Sequence, residues 1–168
     1  MINQCRCCGH TQITRLFYAH LLDQKVAYFE CPKCCYVQTE EPTWLDQAYS
    51  SAINISDTGI MARNSSNTSL VLATLALIGD RQSPVVDFAG GHGFLVRLLR
   101  DIGIDAFWAD PYSDNLVARG FEYQCGGKSS LVTAFEAFEH FVSPVQEMKK
   151  LLHIAPNILL TTHLMSMT

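Results

Sequence analysis

The sequence predicts an α/β fold, a parallel sheet with helices on both faces, preceded by a small cysteine-rich module. Three observations predict it. From residue 85 onward, short apolar runs alternate with amphipathic stretches, as in strand–helix–strand units. The run Val85-Val86-Asp87-Phe88 passes directly into Ala89-Gly90-Gly91-His92-Gly93, a glycine-rich turn between a buried strand and a helix. Ahead of this region, Cys5-x-x-Cys8 and Cys31-x-x-Cys34 form two matched pairs.

Composition narrows the class. With 168 residues the chain holds one good core, or a modest core and a small module. Hydrophobic residues make up 48% and charged residues 17%, the balance of a folded globular protein. The formal net charge is −4 and no basic stripe is visible, so no nucleic-acid partner is expected. The longest apolar stretch, Leu70 to Ile78, is broken by Thr74 and falls far short of the roughly 20 residues a membrane span needs. No membrane partner is expected. Met1-Ile2-Asn3-Gln4-Cys5 shows no basic segment followed by an apolar run, so the expectation is no signal peptide and a cytoplasmic location. In that compartment seven cysteines suit metal ligation or burial as thiols better than disulfides.

The first module is expected over residues 1–41 as a zinc ribbon. Each Cys-x-x-Cys pair can fold as a tight knuckle that aims two thiolates at one point, and two knuckles complete a tetrahedral Zn²⁺ site with Cys5, Cys8, Cys31 and Cys34 as metal ligands. The pairs are separated by 22 residues, room for a hairpin whose strands are predicted over Ile13 to Tyr18 and Lys25 to Phe29. Gly9 follows the first pair, where a knuckle needs a positive φ. Cys7 and Cys35 each adjoin a proposed ligand and could replace it, and His10 is a reserve ligand. The alternative is a set of reduced cysteines in a small core. A closed four-ligand site is structural rather than catalytic.

Residues 42–84 are expected as a linker with N-terminal helices, opening at Glu40-Glu41-Pro42-Thr43-Trp44. Residues 44–66 are polar and predicted to be an irregular, mobile cover over a pocket. Asn67, Thr68 or Ser69 is predicted to cap a helix that runs to Ile78 and ends at Gly79. Pro84 introduces the first strand of the main domain, expected over residues 85–168. Phe94, Leu95, Leu98, Leu99 and Ile102 make one apolar helical face ended by Gly103. Ile104 to Ala109 is the second strand, Ser113 to Arg119 a short helix and Phe121 to Tyr123 a short third strand. Leu131 to Phe135 is the fourth strand, Pro144 starts a helix reaching His153, and Asn157 to Thr162 is the fifth strand.

The glycine turn points to a nucleotide pocket at the carboxyl edge of the sheet. Asp110, at the end of the second strand, can accept two hydrogen bonds from a ribose diol. A dinucleotide fold needs a third glycine, and Val96 occupies its place, which argues against a nicotinamide-dependent oxidoreductase. What remains, Asp87-x-Ala89-x-Gly91-x-Gly93, resembles the first motif of class I S-adenosylmethionine-dependent methyltransferases, with Ala89 where that motif has its first glycine. Asp110 in Phe107-Trp108-Ala109-Asp110-Pro111 is similar to the acid that holds the cofactor ribose. Leu131-Val132-Thr133-Ala134-Phe135-Glu136-Ala137-Phe138-Glu139-His140 resembles the fourth strand and the following acidic segment of many small-molecule methyltransferases. The three elements keep the family order across residues 85–162.

The resemblance implies a Rossmann-like parallel sheet, S-adenosylmethionine as cofactor, and a small-molecule methyl acceptor. It implies cofactor-binding roles for Asp87, Ala89, Gly91, Gly93, Asp110 and Phe135, and catalytic roles for Glu136, Glu139 and His140. Those three either hold a divalent cation that binds acceptor oxygens, or His140 acts as a base; otherwise Glu139-His140 only shapes a turn. A helical segment there would put Glu136 and His140 on one face. Phe88 is core or a slot lining, Arg63 is a partner for the cofactor carboxylate or a solvated loop residue, and His163 could face the same rim. The order of ribbon and domain is similar to bacterial methyltransferases that include sugar C-methyltransferases. Methyltransferases of this kind continue with a sixth and seventh strand, so the sheet is expected to be truncated after the fifth, with an open edge inviting a homodimer. The competing reading is non-catalytic: a cofactor-binding domain derived from a methyltransferase, with the ribbon as an interaction module.

Overall fold

The computed structural model describes residues 4–21, 23–48 and 57–162. The chain divides into two compact units, residues 1–50 with 142–147 and residues 51–141 with 148–168.

The first unit is built on an antiparallel sheet of three strands in the order β1-β2-β3: β1 (Thr14–Leu21), β2 (Gln24–Glu30) and β3 (Val37–Thr39). The two expected strands are present and longer than predicted, with a bulge between Arg15 and Phe17. Phe17 and Tyr28 stack across the hairpin at 4.8 Å, a cross-strand aromatic pair of the kind that fixes register. β3 was not anticipated, because three residues are too few to display an alternation. A short helix, α1 (Leu45–Ala48), follows within the stretch expected to be irregular.

The second unit begins with a larger departure. Helix α2 spans Ile60–Ile78, seven residues earlier than the predicted cap at Asn67. The polar residues read as caps are inside the helix instead. Thr68 Oγ1 donates to Asn64 O at 2.8 Å and Thr74 Oγ1 to Leu70 O at 2.9 Å, so hydroxyls that could end a helix are bonded back along it. The C-terminus agrees with expectation: Gly79 adopts φ +70° as a left-handed cap.

The sheet of this unit has four parallel strands in the order β5-β4-β6-β7: β4 (Val85–Phe88), β5 (Ala106–Ala109), β6 (Leu131–Ala134) and β7 (Asn157–Leu160). This is the α/β, Rossmann-like fold the sequence predicts. Strands β4 and β6 carry consecutive apolar residues because both faces are covered. Val85 and Leu131 pack on one side with Val71 and Leu75 of α2 and with Leu95, Val96 and Leu99 of α3 (Phe94–Asp101). Val86 and Val132 pack on the other with Leu151 of α4 (Pro144–Ile154) and with Ala155. Val96 is core, whereas Ile102, expected on the buried face, caps the helix half exposed.

Two expected elements are reduced. Phe121 to Tyr123 forms a single parallel bridge, Trp108 with Glu122, rather than a strand. Ser113 to Arg119 forms bends rather than a helix. Asn115 explains the second change: its Oδ1 accepts the Ala118 N–H at 2.9 Å, and its amide donates to Ala118 O and to Glu122 at 2.8 Å. A side chain that supplies these local bonds competes with the helical ladder. Leu116 and Val117 N–H also both reach His92 O at 3.1 Å.

From β4 the chain builds the sheet outward in both directions, so the strand order reverses beside it. In open α/β sheets ligands bind in the crevice outside the carboxyl ends of the strands at that reversal. Here the crevice is bordered by the ends of β4 and β6. No helix among the described residues is long and apolar enough to cross a membrane.

Leu99 is fully buried and Leu77 is 87% exposed. Leu99→Ala is therefore expected to lose about 2–5 kcal/mol in urea unfolding, and Leu77→Ala no more than about 0.5 kcal/mol. Equal losses would contradict this packing.

Candidate functional site

At the end of β4, Asp87 is buried, and its Oδ1 accepts the Thr133 hydroxyl of β6 at 2.6 Å. Burial pushes the Asp87 carboxyl up to about 7; the Thr133 hydrogen bond opposes this and the nearby charge of Asp110 adds to it. The turn that follows lies over this carboxyl. A Cβ on Gly90 would come within 2.7 Å of Asp87 Oδ2 and 3.0 Å of Trp108 Cδ1, so no larger residue fits without rearrangement. Sequence spacing picked out Gly91 and Gly93 and passed over Gly90, because its requirement is steric and comes from side chains distant in sequence.

Ala89 stands at φ +57°, a conformation glycine adopts freely and alanine does not. Its N–H is held by Ala109 O at 2.8 Å. Gly91 is at φ +53° with open space beside its Cα. Its N–H donates to Asp110 Oδ2 at 2.9 Å, and its carbonyl accepts the Trp108 indole N–H at 2.8 Å. Gly93, at φ +91°, starts α3; a Cβ there would press to 2.9 Å on Ala118 Cβ and Asn115 Oδ1. Asp110 Oδ1 takes the N–H groups of Tyr112 and Ser113 at 2.8 and 3.1 Å. The acid expected to bind a ribose thus also shapes the loop beside it. A carboxylate has about four acceptor positions, so Asp110 retains capacity for a ligand hydroxyl.

The other side of the crevice is the end of β6. Phe135 is half buried against the core. Glu136 is at φ +51°, and its N–H donates to Thr161 Oγ1 at 3.0 Å. The helix that would place Glu136 and His140 on one face is absent: only Phe138–His140 form a 3-10 turn, and the left-handed Glu136 lies outside it. Glu139 and His140 are exposed, and Glu139 Oε2 accepts the Thr162 hydroxyl at 2.9 Å. Phe88 and Phe138 each meet Phe141 edge to face, at 6.3 and 5.8 Å.

Arg63 belongs to α2, not to a loop. Its guanidinium forks onto Asp57, 2.9 Å to Oδ1 and 2.6 Å to Oδ2, and its Nε faces Glu136 Oε2 at 3.4 Å. The fork with Arg63 lowers the Asp57 carboxyl and raises Arg63. Asp57 lies only six residues before Arg63, whereas Glu136 is distant in sequence, and no motif spacing reports that second pairing. His163 lies outside the described residues.

In the first unit, Cys5, Cys8, Cys31 and Cys34 bring their sulfurs within 4.8 Å of one another. They are the one group of three or more such side chains among the described residues whose ligand atoms converge; Glu136, Glu139 and His140 do not form such a group. The two knuckles repeat one hydrogen-bond pattern. Gly9 N–H reaches Cys5 O at 2.9 Å and Cys5 N–H reaches His10 O at 2.8 Å. Cys35 N–H reaches Cys31 O at 2.8 Å and Cys31 N–H reaches Tyr36 O at 3.0 Å. Cys35, at φ +57°, takes the backbone place that Gly9 fills at φ +74°. This separates Cys7 and Cys35 from the converging set; both are exposed. Gln38, buried on β3, ties the first knuckle down: its Oε1 accepts Arg6 N–H at 2.8 Å and its amide donates to Gln4 O at 3.1 Å. Burial works to raise the Cys31 thiol, but the backbone N–H groups of Cys34 and Lys33 together with the Cys8 and Cys34 side chains bring it down to about 7.

A strand-order reversal with a buried acid below a glycine turn and a second acid beside it is the arrangement at which open α/β sheets take nucleotide-type ligands. A methyltransferase domain family matches residues 62–166, more than half of the chain. The chain belongs to the class I S-adenosylmethionine-dependent methyltransferase family. No curated protein matches it.

Asp87 also sets a pH dependence. A carboxyl held at about 7 in the folded state and near 3.8 when unfolded leaves the folded chain binding more protons between those values. Its contribution is full below about pH 4 and is lost as pH rises through about 7. Asp87→Asn is expected to flatten the fall in stability across that window, by up to about 1.4 kcal/mol per pH unit. Urea melts at pH 4.5, 6 and 7.5, as rough sampling points of that linkage, check it; parallel pH profiles for the two chains would contradict it.

Proposed function

We propose that the chain transfers a methyl group from S-adenosylmethionine to a small-molecule acceptor and carries a structural zinc ion in its ribbon. The observation that carries the first part is the clamp on Gly91, held on one side by Asp110 and on the other by Trp108, at the strand-order reversal. The residues present fit the cofactor. Gly91 leaves its Cα side open, Asp110 has acceptor capacity left, and Phe135, partly buried against the core, follows directly on β6.

When bound, the cofactor supplies an activated methyl group on a sulfonium sulfur. The chain then has to orient an acceptor, exclude water and remove a proton. Asp110 would accept a ribose hydroxyl at its remaining position, and Gly91 and Gly93 would let the backbone pass close to the ligand. Asp87 supports the loop from below through Thr133 and Gly90. Glu136, Glu139 and His140, which follow the carboxyl end of β6, are the groups to which this reading gives removal of the acceptor proton. Glu136 has the best-defined position of the three, fixed at its backbone by Thr161 and at its carboxylate by Arg63.

The thiol set fits zinc. A Zn–S bond of about 2.3 Å puts the sulfurs of a tetrahedral site about 3.8 Å apart. Cys5 and Cys34 are 3.7 Å apart and Cys8 and Cys31 3.6 Å. Four thiolates leave no open position, so the ion holds the knuckles together and takes no part in transfer. A reducing compartment such as the cytoplasm suits this set.

Calorimetric titration with S-adenosylhomocysteine tests the first part. Micromolar binding is expected, weakened about tenfold or more in Asp110→Ala; a folded, zinc-loaded chain that does not bind would overturn the assignment. Metal analysis tests the second. About one zinc per chain is expected, retained by Cys7→Ser and Cys35→Gly and lost by Cys34→Ser. Zinc loss in Cys35→Gly would point to a different ligand set.

A further inference from the structure

We propose that Trp108 is a positioning residue of the cofactor loop, holding Gly91 in the conformation that receives the ligand. The inference rests on the cofactor site proposed above and adds a residue that the family motifs do not include.

Gly91 needs an external restraint. It sits at φ +53° with nothing within 4 Å of the place a Cβ would take, so no side-chain packing of its own fixes it. A glycine without such packing has the largest conformational freedom of any residue. Both of its peptide groups are instead held by β5 and the residue that follows it. Asp110 accepts the N–H, and the Trp108 indole donates to the carbonyl. Trp108 and Asp110 are two positions apart on an extended chain, so both side chains leave the same face of the sheet. The two bonds pin one residue from one side, and rotation of either flanking peptide breaks one of them.

Trp108 does more than donate a hydrogen bond. Its ring edge comes within 3.0 Å of the Cβ position of Gly90, and Asp87 Oδ2 comes within 2.7 Å of the same position. The indole therefore confines the turn between the loop and the buried acid. The backbone of Trp108 is held too: its N–H donates to Phe121 O and its carbonyl accepts Tyr123 N–H, each at 2.8 Å. The single bridge that replaces the expected third strand thus adds to the β4–β5 pairing in holding Trp108 at the loop.

The restraint has a specific value here because Ala89 stands in the left-handed region where the family motif has glycine. That conformation costs an alanine about 1–2 kcal/mol. A loop with such a residue at its entrance relaxes toward other conformations unless something opposes it, and the Trp108 bond two residues later does so. Binding to a loop already in its receptive form avoids the ordering cost of adopting it.

The test uses the full zinc-loaded chain with S-adenosylhomocysteine as the probe. Trp108→Phe keeps an aromatic ring beside Gly90 and deletes the indole donor. Affinity is expected to fall about threefold to tenfold, the range of one lost hydrogen bond. The loss should shrink in an Ala89→Gly background, where the loop entrance is unstrained. In the wild-type chain, the Trp108 indole N–H resonance should shift at saturating S-adenosylhomocysteine while that of Trp44 stays, a readout that does not depend on the variant folding. Wild-type affinity in Trp108→Phe, or an unmoved Trp108 resonance in a saturated wild-type chain, would overturn the proposal and leave the cofactor site standing. Failure of the wild-type chain to bind the probe overturns both.

Discussion

The second unit is organised around one hydrogen bond, from Thr133 on β6 to the buried carboxyl of Asp87 on β4. A carboxyl removed from water is costly unless it is hydrogen-bonded or protonated, and Asp87 uses both remedies. The bond joins the two strands at the point where the sheet reverses its order, so the position of the crevice and the satisfaction of the acid are one arrangement. It also explains the turn above. With Oδ1 occupied by Thr133, Oδ2 faces Gly90, and only a residue without a side chain can pass there. The glycine turn then continues to Gly91, anchored by Trp108 and Asp110, and to Gly93, where Ala118 and Asn115 leave no room for a side chain.

The first unit solves a different problem. A single three-stranded sheet buries too little apolar surface to order two loops of cysteines unaided. Backbone hydrogen bonds do the local shaping, identically in the two knuckles, and Gln38 supplies a buried polar tie between the first knuckle and the sheet. What remains is four thiols crowded together, an arrangement unfavourable once they ionise. A divalent cation converts that repulsion into attraction, which is the physical argument for a metal there.

Patterns that depend on neighbouring residues were legible in the sequence. The parallel strands showed as apolar runs, the cysteine pairs as knuckles, and Gly79 as a helix end. Patterns that depend on what a side chain meets after folding were not. Thr68 and Thr74 carry the chemistry of caps, and only the structure shows them bonded back along α2. Asn115 takes the local bonds that the short helix expected over Ser113 to Arg119 would have needed. Glu136 leaves the helical path altogether, which separates it from His140 and brings it to Arg63. Gly90 and Trp108 have roles set entirely by contacts across the sheet. The candidate site was thus visible in outline from its motif, while the side chains that hold the motif in shape came from segments the motif does not contain.

The bond between Asp87 and Thr133 spans 46 residues of chain. During synthesis β4, α3 and β5 leave the ribosome well before β6 does, and until then Asp87 has water rather than Thr133 for a partner. The acid gains its partner only when β6 pairs with β4, so the floor of the crevice is a product of long-range strand pairing and not of the glycine motif beside it.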